Sequence, residues 1–150
     1  RRQSAYGSVI MPSLIAPRII VGVIVDTSGS MSDEMIGQAL AICKGALEAA
    51  TEIKVVSCDS AVHDCQTVFR AEDIKVFGGG GTDMRIPIQY FEDMRRDRPS
   101  LVLIVTDGYT PWPNHAPKGF HLITLLTTDR GSRPTFGDTY VWDRNPAQER

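Results

Sequence analysis

No stretch of this sequence is apolar over the roughly 20 residues that a bilayer-spanning helix needs, and no charged-then-apolar leader precedes the first regular element. Cysteine and histidine are scarce, at three each, and the cysteines are odd in number and unclustered. That excludes a disulfide-stapled secreted scaffold and points to free thiols in a reducing, cytoplasmic compartment. No HExxH motif occurs, so a peptidase-type zinc centre is not encoded in this chain. Neither sign of charge is in excess. A formal net charge of −2 leaves no electrostatic footprint for nucleic acid or anionic lipid. Internal repeats, low-complexity blocks and dividing linkers are also absent.

What remains is a globular composition, 42% hydrophobic and 23% charged, over 150 residues, enough for one domain with a real core. The chain opens on Arg1 and not methionine, so the expectation is a piece of a longer protein. Residues 1–18 read as an N-terminal arm with a short strand near residues 9–11, residues 19–143 as the domain, and residues 144–150 as a C-terminal tail.

The organising stretch is IIVGVIVDTSGSM, residues 19–31. An uncharged, β-branched run of this length suits a strand buried on both faces, in the middle of a parallel sheet. It ends abruptly at Asp26, and hydroxyls follow at Ser28 and Ser30. A second apolar strand, LVLIVT at residues 101–106, also ends at an aspartate, Asp107. If the two are neighbours, both carboxylates meet at one rim, where open α/β sheets bind ligands. The donors there would all be oxygen, as hard cations such as Mg²⁺ prefer.

Between these strands, Ser32 is placed to cap a helix, followed by Asp33 and Glu34 where the helix dipole favours acids. Ile36, Leu40, Cys43, Leu47 and Ala50 make its apolar stripe, and Gly37, Ala41 and Gly45 would allow close approach to a neighbour. Residues 53–57 and 61–69 read as a hairpin, so one strand should run antiparallel to the rest. Four glycines, residues 78–81, lead into Thr82 and Asp83, and a second helix should run from Ile86 to near Arg96, with Pro87 in its first turn. A proline-rich loop at residues 109–118, a strand at residues 120–126 and a short strand at residues 139–142 complete the chain.

DTSGS at residues 26–30, GGGGTD at residues 78–83 and TDG at residues 106–108 together resemble the metal-ion-dependent adhesion site of von Willebrand factor type A domains. GSVIMPSLIAPR before the first strand and TDGYTPWP after the second aspartate are similar to a bacterial VWA-like subgroup found with metallopeptidase-like domains. The resemblance runs from about Val9 to Trp142. It implies a Rossmann-like, doubly wound α/β fold, with a mostly parallel central sheet and helices on both faces. It also implies Mg²⁺, with Mn²⁺ or Ca²⁺ as alternatives, ligated by Ser28 and Ser30 with Thr82 as a third contact, direct or through water, while Asp26 and Asp107 act mostly through water and by orienting the serines. The implied function is a non-enzymatic protein-interaction module. Its partner would complete the ion's shell with an Asp or Glu carboxylate, within an AAA+ ATPase or metallopeptidase-like complex. Asp26→Ala is then expected to abolish metal binding and leave the fold largely intact, since the site sits at the rim and not in the core.

Blander readings stand beside these. Asp, Ser, Thr and Gly are common turn residues. Cys58, His63 and Cys65 fall short of a four-ligand zinc site. His115 and His121 are isolated, Arg95, Arg96 and Arg98 suit a solvated helix end, and Trp112 is either a packing anchor or a rim contact. The enzymatic alternative is a Mg²⁺-dependent phosphohydrolase with Asp26 as nucleophile. Against it, such phosphatases want an aspartate where this chain has Ser28, and no nucleophile elbow or histidine triad is present.

Overall fold

The first strand, β1 (Ile20–Asp26), is buried at every position, which only an interior strand with both faces covered can be. It pairs in parallel with β2 (Glu52–Cys58) on one side and with β4 (Leu101–Thr106) on the other. The structure is a computed structural model and describes residues 17–58, 62–76 and 82–142. A six-stranded sheet results, in the order β3-β2-β1-β4-β5-β6. β5 (His121–Leu126) and β6 (Asp138–Val141) extend it in parallel, and β3 (Val62–Val68) is antiparallel to β2, as the short hairpin connection requires. The expected strand near residues 9–11 lies outside the described residues.

Alternation along the strands divides the core in two. Val21, Val23 and Val25 meet Ile36, Ala39 and Leu47 on one face. These come from α1 (Asp33–Ile42) and α2 (Lys44–Ala49). On the opposite face Ile24, Val102 and Ile104 meet Met84, Ile88 and Phe91, carried by or adjoining α3 (Arg85–Glu92). Helices therefore lie on both faces of a mostly parallel sheet, the expected architecture. Gly22 makes the second packing possible. A Cβ there would stand 3.1 Å from each of the Phe91, Pro99 and Val102 side chains, so its absence lets the Phe91 ring settle over β1.

Local chemistry explains most helix boundaries. The Ser32 hydroxyl accepts the Met35 N–H at 3.2 Å, with Asp33 and Glu34 in the first turn. The helix expected from Ser32 to Ala50 is interrupted at Cys43 (ψ 0°), with Gly37 and Gly45 weakening it on either side. Gly37, Ala41 and Gly45 do not serve close packing. All three are exposed, and a Cβ on either glycine would meet nothing within 4 Å. Small residues at helical spacing lie here on the face turned away from the sheet. α3 stops at Glu92 and not near Arg96. Its last-turn carbonyl at Glu92 accepts from the Arg98 guanidinium at 3.2 Å, and Asp97 adopts φ 54°, which a helix cannot continue through. Arg95 and Arg96 are exposed, as expected of a solvated helix end. No helix among the described residues is long and apolar enough to cross a membrane.

An ionic cluster closes the end of the sheet opposite the rim. Arg18 pairs with Glu52 and, at 2.7 Å, with Asp97. Lys54 Nζ lies 3.3 Å from Glu52 Oε1 and donates to the Thr67 hydroxyl at 3.4 Å. The bond from Arg18, reinforced by Lys54, holds the Glu52 carboxyl below its ordinary range against the opposing effect of burial. A depressed folded-state pKa contributes stability that is fully present above the unfolded value, 4.5 for this group, and is lost as pH falls through the lower folded value.

Two outcomes follow from this packing. Phe91→Ala should lower unfolding stability by about 3–5 kcal/mol, since a fully buried ring between β1 and α3 leaves a cavity; denaturant titration losing under about 1 kcal/mol would show that the face repacks. Glu52→Gln should flatten the fall in stability below pH 4.5 relative to the native chain. Identical acid limbs in the two proteins would remove Glu52 from the account.

Candidate functional site

The chain departs from β1 toward β2 and β3, then returns to build β4, β5 and β6 on β1's other side. The switch point lies between β1 and β4, and the crevice at their C-terminal ends is where such sheets take ligands. Asp26 ends β1, and Asp107 directly follows β4, in the register Val25↔Val105. The two aspartates thus meet at the rim because their strands are neighbours.

One continuous hydrogen-bond network joins Asp26, Ser28, Ser30, Thr82 and Asp107. Asp26 Oδ1 accepts the Thr82 hydroxyl at 2.7 Å and the Ser28 N–H at 2.8 Å. Ser28 Oγ and Ser30 Oγ are 3.1 Å apart, and the Ser30 hydroxyl donates to Asp107 Oδ2. Asp107 Oδ1 accepts the Tyr109 N–H at 3.1 Å. Exposure rises outward through the cluster. Asp26 is fully buried and Asp107 nearly so, Ser28 and Thr82 are half-buried, and Ser30 is exposed. Residues 78–81, whose glycines were expected to approach closely here, lie outside the described residues.

Three residues of this site were not anticipated. Thr106 Oγ1 donates to Asp26 Oδ2 at 2.6 Å and accepts the Gly108 N–H at 3.1 Å. Strand alternation signals it, because Thr106 shares the face of β4 with Val102 and Ile104, as Asp26 shares that of β1 with Ile24. Thr110 accepts the Met84 N–H at 2.9 Å. Ser132 faces the carbonyls of Gly108 and Thr110, at 2.9 and 3.1 Å. Gly131 is obligatory beside it, since a Cβ would fall 2.1 Å from the Asp107 carbonyl oxygen. Trp112 resolves as an anchor: its indole N–H donates to Ser132, and the ring packs on the core beside α3.

Asp26 is therefore not a simple rim residue. Removing its side chain takes the acceptor from the buried Thr106 hydroxyl and from the half-buried Thr82 hydroxyl and Ser28 amide, so Asp26→Ala should cost stability even where the fold is kept. Beside the cluster, Asp83 pairs with Arg85 at 2.8 Å, and that bond holds the Asp83 carboxyl below its usual range.

Sequence comparison agrees with this architecture. A family model described as "VWA-like domain (DUF2201)" matches residues 21–143. The chain belongs to the VWA-like domain family. It is also 33% identical over 101 residues to an uncharacterised protein of Thermotoga maritima, a match covering 65% of this chain and 24% of that protein. This VWA-like domain thus spans about a quarter of that relative's length.

Among the described residues the remaining candidate groups form no ligand cluster. Cys43, Cys58 and Cys65 take part in no disulfide, and burial pushes the Cys43 thiol up. The side chain of His63 lies outside what is described. His121 pairs with Asp138 across β5 and β6 at 2.7 Å, and His115 is exposed. Among the described residues no three His, Cys, Asp or Glu side chains converge. An ion at the rim would thus be held by hydroxyls with two carboxylates behind them, a donor set for a hard cation and not for zinc.

Thr106→Val should leave Asp26 Oδ2 without its donor and cost about 1–3 kcal/mol, a buried acceptor being left unsatisfied. Denaturant unfolding that shows no loss would mean that the Asp26–Thr106 bond is dispensable to the network.

Proposed function

We propose that this VWA-like domain is a non-enzymatic protein-interaction module that binds Mg²⁺ at Ser28, Ser30 and Thr82 and takes an Asp or Glu carboxylate of a partner protein on that ion. The observation that carries the reading is the 3.1 Å separation of the Ser28 and Ser30 hydroxyls above two buried carboxylates. Adjacent ligands of an octahedral Mg²⁺ at about 2.1 Å stand about 3 Å apart, so the two hydroxyls are spaced as neighbouring ligands would be. Asp26 and Asp107 would orient the hydroxyls and supply the charge that retains a dication. Mn²⁺ suits the same octahedral oxygen set, and Ca²⁺ would need the cluster to widen. The ion would offer its solvent-facing position to one more hard, anionic oxygen, which a protein partner supplies best as a carboxylate. Tyr109 is exposed two residues beyond Asp107, and its N–H donates to that carboxylate.

The same geometry weighs against a phosphohydrolase with Asp26 as nucleophile. Both Asp26 oxygens are engaged by three donors, and the side chain has no exposed surface from which to attack. A cytoplasmic setting is supported by the three unclustered cysteines, and an assembly with an AAA+ ATPase or metallopeptidase-like protein by the family resemblance.

Calorimetry should find one Mg²⁺ site in the native chain, weakened at least about tenfold in Ser30→Ala and in Asp26→Asn. Ser30→Ala also takes a donor from the nearly buried Asp107, so its Mg²⁺ affinity is to be read at a temperature where unfolding curves show it fully folded. Equal Mg²⁺ affinity in native and Ser30→Ala protein would refute the assignment.

A further inference from the structure

Thr110 stands where the exposed loop after β4 meets the segment that carries Thr82. Its side chain is 8% exposed and belongs neither to the oxygen cluster nor to the outer surface. The hydroxyl accepts the Met84 N–H at 2.9 Å and lies 3.1 Å from the Pro111 carbonyl and 3.5 Å from that of Thr82. Met84 is fully buried at the start of α3 and provides no side-chain cap of its own. Two residues earlier, Thr82 gives its hydroxyl to Asp26. One buried hydroxyl therefore ties the loop that begins at Asp107 to the loop that reaches Asp26.

That loop is also anchored from behind. Ser132 faces the Gly108 and Thr110 carbonyls, its own N–H donates to the Gly108 carbonyl at 2.9 Å, and the Trp112 indole closes on Ser132. Between these anchors Tyr109 and Pro111 are exposed. The stretch 108–112 thus has an outward surface and two inward connections, the chain itself to Asp107 and the Thr110–Met84 bond. A displacement of its outer surface would reach Asp107 along the chain and Thr82 through Met84.

We infer that Thr110 is a positioning residue coupling the exposed Tyr109–Pro111 surface to the Ser28/Ser30/Thr82 cluster, so that partner contact and ion binding favour the same placement of Thr82 and Asp107. The inference rests on the proposed reading of the rim as an ion-dependent partner site. If the two events share one placement, each strengthens the other by the same factor. A threonine that only stabilised its own turn would leave the Asp26 side of the cluster indifferent to its loss.

The test compares full-length Thr110→Val, which keeps shape and loses the hydroxyl, with Thr110→Ser, which keeps the hydroxyl. Without metal, amide NMR should show the Ser28 and Tyr109 N–H resonances, donors to Asp26 and Asp107, shifted in Thr110→Val and near native in Thr110→Ser. Titrated with Mg²⁺ alone, Thr110→Val should bind about 10–100-fold more weakly, with affinity recovered in Thr110→Ser. A Ser28 resonance unmoved in Thr110→Val, with only Met84 and Tyr109 responding, would overturn the coupling and leave a local turn contact. If the native chain binds no Mg²⁺, the ion reading fails, while the Ser28 response still decides whether Thr110 reaches Asp26. Should Thr110→Val not fold, Ser132→Ala loosens the same link from its exposed anchor. It should shift the same two amides in the same direction, and silence at both would overturn the inference.

Discussion

The burial of the Asp26 carboxylate is the constraint on which the arrangement of this domain's loops depends. A carboxylate taken wholly out of water costs several kcal/mol unless donors surround it. Here the donors come from three separate segments: the Ser28 amide just after β1, the Thr82 hydroxyl before α3, and the Thr106 hydroxyl at the end of β4. The Ser28 bond is local, but the Thr106 bond forms only when β1 and β4 are adjacent and in register. A sheet with another strand beside β1 would leave Asp26 Oδ2 buried without that donor. The same side chain that organises the rim therefore penalises alternative strand orders.

Topology explains why such a residue can be tolerated at that place. At the switch point the connections from β1 and β4 diverge, so their ends open a crevice without a crossing chain. Loops from both sides fill it with short polar side chains, whose hydroxyls both donate and accept. Hydroxyls can thus satisfy the inner carboxylates and still present lone pairs outward. Carboxylates at Ser28 and Ser30 in their place could only accept, and would leave the two aspartates facing like charge.

Legibility in the sequence tracked the range of the physics. β1 and β4 were readable because strands buried on both faces must be apolar throughout, and the terminal aspartates stood out against that background. The antiparallel β3 followed from a connection too short for a crossover. The five oxygen-bearing residues that now form one network were found through those strand ends. Thr106 was missed although strand alternation carries it. Thr110 and Ser132 depend on contacts between loops 22 to 28 residues apart, which leave no period and no composition bias. The Gly37/Ala41/Gly45 spacing misled because small residues permit close packing but do not compel it. α3 ended early because Arg98 folds back onto Glu92, and no local propensity announces that bond.

On the proposed reading, the neutral outer ligands also set how ion and partner must divide the binding energy. An ion retained by two hydroxyls, a threonine and water is held less tightly than one caged by carboxylates, since the charged groups stand one bond further away. It also keeps more of its charge for an incoming oxygen. Partner and ion would then each be weak ligands alone and strong together, because each supplies what the other's site lacks. A rim lined with direct carboxylate ligands would reverse this. It would hold the ion firmly, neutralise it, and leave little attraction for a partner's acid. On that reading the burial gradient from Asp26 outward to Ser30 would be the structural form of that choice: carboxylates kept inside, hydroxyl at the surface.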